Sequence, residues 1–230
     1  MNFNYILEKI SLSKLGTKPF KYLCIDNFLK KDDYQKILNK LPVDKNWETK
    51  KTKSKSRRRS WQSQTYTFNH KKLNFISELS SFLESDIFMN SLFKVFDINK
   101  KFPNGAAKTA WCRDYDAFSI SPHKDQDSKI ISFLLYLPKD NKNKQNGTQL
   151  LKPLKNTKNK GDNHLQWYDF KKIKDIEFVK NRFICWSVNS KSFHSVDVRF
   201  LRGDKNAYRD TVRGFYFQNK KNLPSLFRRY

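Results

Sequence analysis

Apolar positions in the first hundred residues recur at intervals of three and four, the spacing that lines one face of a helix. Phe3, Ile6, Leu7 and Ile10 form one such stripe, and Tyr34, Ile37, Leu38 and Leu41 a second. A third begins with Leu73, Ile76, Leu79, Phe82 and Leu83 and continues through SDIFMNSLFKVF. Asp32 or Asp33 is placed to cap the second helix. Between the first two stripes, PFKYLCIDNFL reads as a short strand. KKTKSKSRRRSWQSQTYTF carries no such period and reads as an exposed loop.

From about residue 106 the pattern changes. AAKTAWCRDYDAFSIS, SKIISFLLYLP, EFVKNRFICWSV, SFHSVDVRF and TVRGFYFQ are short, rich in aromatic or β-branched residues, and separated by turn-forming stretches. The Lys/Asn-rich excursion after the second of these reads as exposed loop around one further strand, Thr148 to Leu151. Helices followed by strands predict an α+β fold whose strands close into a barrel or sandwich. At 230 residues the chain fits one domain: an N-terminal helical flank over 1–105, packed on a strand-rich core over 106–230.

Composition narrows the function classes. Phe, Tyr and Trp make up 15% of the residues and can fill a core despite a hydrophobic fraction of only 37%. No apolar run reaches the roughly 18–20 residues of a membrane span. MNFNYILEKISLSK lacks the basic start, apolar middle and small-residue cleavage site of a secretion signal. Cys24, Cys112 and Cys185 are odd in number and far apart, which argues against a disulfide framework or thiolate zinc site and for a cytoplasmic location. The net charge of +25 sets 36 Lys and 11 Arg against 22 Asp and Glu. A Lys-dominated excess reads first as a solvated basic surface. Arg57, Arg58 and Arg59 form the one dense Arg cluster and are candidates for docking an anionic substrate.

Candidate chemistry lies in three segments of the strand-rich half: SPHKDQD, SFHSV and VRGFYFQ. His123 and Asp125 are two apart, so an extended backbone points both to the same side. Alternation along FHSVDVRF places His194 with Val196, Val198 and Phe200 on an apolar face. Two imidazoles and one carboxylate form the facial triad that holds non-haem Fe(II) with positions left open for co-substrate. 2-Oxoglutarate, chelating through its 1-carboxylate and keto oxygen, would leave a distal carboxylate that needs a cation. On TVRGFYFQ, Thr211, Arg213, Phe215 and Phe217 share a face, and no Asp or Glu on that face neutralises Arg213. Pairing His194 with Arg213 across an antiparallel hairpin centres the turn on Gly203-Asp204. Arg202 and Arg209 are rival anchors, but either would put the turn inside the strand-like VRFL.

RDYDAFSISPHKD, ISFLLYLP, FVKNRFICWSVNSKSFHSV and VRGFYF, in this order, resemble the Fe(II)/2-oxoglutarate-dependent oxygenases of the prolyl-4-hydroxylase-like type. The resemblance covers roughly residues 107–218, with a weaker echo in PFKYLCIDNFL. It implies a double-stranded β-helix (jelly-roll) core with N-terminal flanking helices. It implies iron ligands at His123, Asp125 and His194, a 2-oxoglutarate anchor at Arg213, and Tyr115 as a second contact to the co-substrate. The implied reaction hydroxylates an unactivated C–H bond of a small-molecule or peptide substrate, anionic ones included. It consumes dioxygen and 2-oxoglutarate and releases succinate and CO2. Trp111, Trp167 and Trp186 are candidates to line the pocket.

Departures from the family pattern restrict the reading. Arg213 stands where prolyl hydroxylases often carry Lys, and its separation of 19 residues from His194 exceeds the usual spacing. The customary Gly-Gly after the second core strand is reduced to Asn146-Gly147-Thr148. Two alternatives stand beside the oxygenase: a basic nucleic-acid-binding module, and a catalytically inactive jelly-roll scaffold.

Overall fold

A computed structural model of the chain describes residues 1–42, 48–50, 65–67, 74–116, 118–154, 166–200 and 208–222. The first stripe folds as helix α1 (Phe3–Leu12), capped by Asn2, whose side chain accepts from the Tyr5 amide. Strand β1 (Tyr22–Ile25) follows, then helix α2 (Lys31–Lys40). Neither aspartate caps α2. Lys30 occupies that position without a side-chain bond, and Asp33 in the first turn instead accepts from the Asn2 amide, tying α1 to α2.

Short strands β2 (Glu48–Lys50) and β3 (Thr65–Thr67) lie within or beside the segment read as a loop, and β3 pairs with the core. Arg57, Arg58 and Arg59 lie outside the described residues. The third stripe is two helices, α3 (Asn74–Leu83) and α4 (Asp86–Phe96). Ser85 divides them by accepting from the Phe88 amide as the N-cap of α4. Local side-chain capping here interrupts a hydrophobic period that is otherwise continuous.

Eight strands follow: β4 (Ala106–Asp114), β5 (Ser119–His123), β6 (Lys129–Tyr136), β7 (Thr148–Pro153), β8 (Phe170–Ile176), β9 (Phe183–Ser187), β10 (His194–Asp197) and β11 (Arg209–Phe217). With β1, β2 and β3 they form two antiparallel sheets, one ordered β1-β9-β6-β11-β4-β3-β2 and the other β5-β10-β7-β8. This is the expected α+β jelly-roll arrangement. The first hundred residues supply helices and also three strands of the larger sheet.

Alternation along β6 assigns the two faces of the larger sheet. Ile131, Phe133 and Leu135 join Phe28, Phe88, Leu92 and Phe183 in the core under the helices. Tyr136 faces the other way, into a second cluster with Leu150, Ile176, Ile184 and Trp186, which the smaller sheet closes. A sheet buried on both faces explains why β6 reads as an unbroken apolar run.

The expected hairpin between His194 and Arg213 does not form. β10 pairs with β5 and β7, whereas β11 pairs with β4 and β6, so the two residues belong to opposite sheets. Consecutive strands change sheet here. Residues on the two inner faces can therefore approach across the interior without being ladder partners. Arg202 and the Gly203-Asp204 dipeptide lie outside the described residues.

Candidate metal centre

His194 on β10 is the direct cross-strand partner of His123 at the end of β5. Their rings lie 4.3 Å apart between centroids. Asp125, two residues beyond His123, turns back beside them, and its Oδ2 is 3.7 Å from His194 Nε2. One ligand atom from each of the three residues lies within 4.8 Å of the others. His194 and Asp125 are buried, and His123 is half-buried.

The donor chemistry suits a divalent metal. His123 Nδ1 lies 2.9 Å from the Ser121 carbonyl, and His194 Nδ1 lies 3.0 Å from the Ser192 carbonyl. A carbonyl can only accept, so each Nδ1 carries the proton and each Nε2 keeps its lone pair for a metal. The same Ser-x-His geometry occurs at both histidines, a repeat visible in SPH and SFH but missed in the sequence reading. Burial lowers the pKa of His194, and Asp125 only partly opposes this, so the imidazole is neutral and ready to coordinate. Burial pushes Asp125 up, but Lys129, His194 and His123 together outweigh it and hold the carboxyl well below its usual range. Asp125 is therefore an anion across the physiological range. Ser132 Oγ donates to its Oδ2 at 2.8 Å.

Trp186 packs against His194 with ring centroids 4.5 Å apart. Its indole N–H is buried and has no acceptor among the described residues. Trp111 faces the opposite side of the sheet, donating to Ser80 Oγ at 2.8 Å under the helices. Trp167 lies with Gln149, Phe170 and Asp197 on a separate surface cleft. Of the three tryptophans, only Trp186 flanks the donor cluster.

Arg213 has a carboxylate partner that the sequence reading did not find. Its Nη2 donates to Asp114, which is fully buried and also accepts from Arg209 Nη1 at 2.8 Å. Arg209 additionally donates to the Asn146 carbonyl at 2.7 Å and is 2% exposed. Arg213 is more open: its side chain is 16% exposed, its Nε reaches Thr211 Oγ1 at 3.3 Å, and its Nη1 has no partner among the described residues. Burial works against its charge, but Asp114 outweighs that and keeps it protonated. Tyr115 follows β4, and its ring sits edge-on to Tyr208 at 6.5 Å. Tyr208 in turn covers the Arg113 guanidinium at 3.5 Å.

Comparison with solved structures places this architecture. A prolyl hydroxylase from Trichoplax adhaerens, solved with a hypoxia inducible factor peptide fragment, superposes with a TM-score of 0.59 at 16% identity. The match covers 96% of this chain and 92% of that one. The fold is that of the prolyl hydroxylases. A Pseudomonas putida prolyl-4-hydroxylase matches with a TM-score of 0.55 at 11% identity over 92% of this chain and 96% of its own. An oxidoreductase of the 2OG-Fe(II) oxygenase family from Burkholderia pseudomallei matches with a TM-score of 0.52 at 11% identity, covering 86% of each. No family model matches the sequence, and no curated protein matches it. The prolyl hydroxylase fold is thus retained with little sequence similarity, and the donor cluster in its interior carries the chemical argument.

Proposed function

We propose that this protein is an Fe(II)- and 2-oxoglutarate-dependent oxygenase that hydroxylates a C–H bond, with iron held by His123, Asp125 and His194. The observation that carries the reading is the convergence of these three donors within 4.8 Å, each imidazole with its Nδ1 already committed to a carbonyl. Bound iron supplies the oxidising chemistry, in which one dioxygen, one 2-oxoglutarate and one C–H bond give succinate, CO2 and a hydroxylated product.

The chain's own residues bind, orient and exclude water. Ser132, which touches Asp125, pairs across the ladder with Phe215, whereas Arg213 pairs with Leu134. The Arg213 side chain therefore leaves the sheet one side-chain repeat, about 6.7 Å, from the Ser132 level. That separation suits a dicarboxylate that reaches the metal with one end and Arg213 with the other. The open Nη1 is available for this contact while Asp114 keeps Nη2. Trp186 and Tyr136 wall the interior with apolar surface. Tyr115 is retained as a second co-substrate contact through its hydroxyl.

No helix among the described residues is long and apolar enough to cross a membrane. The three free cysteines favour a reducing, cytoplasmic setting. The substrate class we favour is a peptide or small molecule, because the Trichoplax relative carries a peptide. Arg57, Arg58 and Arg59 are the proposed docking strip if that substrate is anionic.

The deciding experiment incubates the protein with 2-oxoglutarate, ascorbate and Fe(II) and measures succinate. Succinate that depends on iron and disappears in His194→Ala supports the oxygenase. Its absence under all conditions returns the chain to an inactive scaffold or a nucleic-acid-binding module.

A further inference from the structure

Both oxygens of the Asp125 carboxylate are engaged, each on a different side. Oδ2 faces His194 Nε2 and accepts from Ser132. Oδ1 accepts from Lys129 Nζ at 2.5 Å. Lys129 is itself held in place. Its ammonium lies 3.7 Å from the centroid of the Phe215 ring, its backbone N–H donates to the Gln126 carbonyl at 2.9 Å, and its side chain is 13% exposed. An ammonium over an aromatic face and against a buried carboxylate is constrained on two sides. The neighbouring Lys124 is engaged elsewhere, with Asp127.

This division of the carboxylate bears on the number of open metal positions. A carboxylate can grip a divalent cation through one oxygen or through both. With two imidazoles present, a two-oxygen grip would occupy one of the three positions that the proposed reaction requires to be free of protein atoms. We propose that Lys129 is a positioning residue that reserves Asp125 Oδ1, restricts the carboxylate to contact through Oδ2, and so keeps the third position open. The inference rests on the metal-binding reading above. A second effect follows from charge. Lys129 offsets the negative charge of Asp125, leaving more of the cation's charge for an anionic co-substrate.

The test loads wild type and Lys129→Met with Mn(II), counts inner-sphere waters by water-proton relaxation, and titrates 2-oxoglutarate into each by calorimetry. Wild type should hold three exchangeable waters, and Lys129→Met one fewer, with its 2-oxoglutarate Kd raised about tenfold or more. Its Mn(II) affinity should be equal or higher, because an additional oxygen reaches the metal. Lys129→Arg should restore the wild-type water count. Should Lys129→Met misfold, Lys129→Leu, which likewise has neither a donor nor a charge, takes its place with the same expectation. An unchanged water count and co-substrate affinity in a folded variant would reduce Lys129 to an ordinary ion pair while leaving the metal site intact. Failure of wild type to bind Mn(II) would overturn the metal-binding reading itself, and this inference with it.

Discussion

His123 and His194 are direct cross-strand partners, and each fixes its Nδ1 on the carbonyl of the serine two residues before it. The two tautomers are therefore set by local backbone, and His194 Nε2 lies 3.7 Å from Asp125 Oδ2. The three donors are brought together by the fold itself.

Removing either imidazole leaves two donors. His123→Ala and His194→Ala should each weaken Mn(II) or Co(II) binding by about a hundredfold or more, measured by calorimetry, while circular dichroism stays that of wild type. Unchanged affinity in both variants would place the metal elsewhere.

Arg213 and Arg209 share Asp114 but should fail differently. Arg213→Ala removes the accessible guanidinium, so the 2-oxoglutarate Kd should rise about a hundredfold with metal binding retained, as losing one partner of a buried charge pair costs about 3–5 kcal/mol. Arg209→Ala takes away a buried group that also holds the Asn146 carbonyl, and its main readout should be a lower unfolding midpoint. Arg202→Ala should leave both unchanged. Loss of co-substrate affinity in Arg202→Ala but not in Arg213→Ala would move the anchor.

Asp210 predicts a pH dependence of stability. Burial raises its pKa to about 6 even though the Arg113 guanidinium beside it and its hydrogen bonds pull the other way, and the neighbouring Asp114 carboxylate adds to the rise. The folded state then binds this proton more tightly than the unfolded chain does. The contribution is fully present below the unfolded value near 3.8 and is lost as pH rises through about 6. The unfolding free energy of wild type minus that of Asp210→Asn, from urea titrations, should fall by on the order of 2–3 kcal/mol between about pH 4 and pH 7. A flat or rising difference would contradict the raised pKa.

Gly147 lies where β7 begins, against β8. A Cβ there would stand 1.8 Å from the Ile176 carbonyl oxygen, and backbone cannot swing aside as a side chain can. Gly147→Ala should destabilise by about 1–3 kcal/mol or more. In a chain of this size that is roughly 2–4 °C of Tm per kcal/mol, checked by calorimetric unfolding. A variant as stable as wild type would mean that β7 and β8 separate without cost.

Much of the site was readable before any fold was known, because it depends on local order. The two-residue spacing of His123 and Asp125, the apolar face of His194 and the helical stripes of α1 and α2 are all short-range properties of the chain. So is the Arg-Asp dipeptide that occurs on both β4 and β11. Antiparallel pairing sets Arg113 against Asp210 and Asp114 against Arg209, two ion pairs from one repeated pattern.

Tertiary structure decided the rest. β8 reads FKKIKDI and is exposed along most of its length, with no alternation to reveal it. It is a strand because it pairs with β7 at the sheet edge, where lysines also discourage further pairing. The link between His194 and Arg213 depends on which sheet each strand joins, and sequence proximity suggested a hairpin that the jelly roll replaces with a crossing between sheets. Asp114 as the partner of Arg213, and Lys129 as the partner of Asp125, likewise required the fold. Alternation assigns a side chain to a face, but only the packing of strands distant in sequence determines which charges share that face, and a buried charge must find its counterion there.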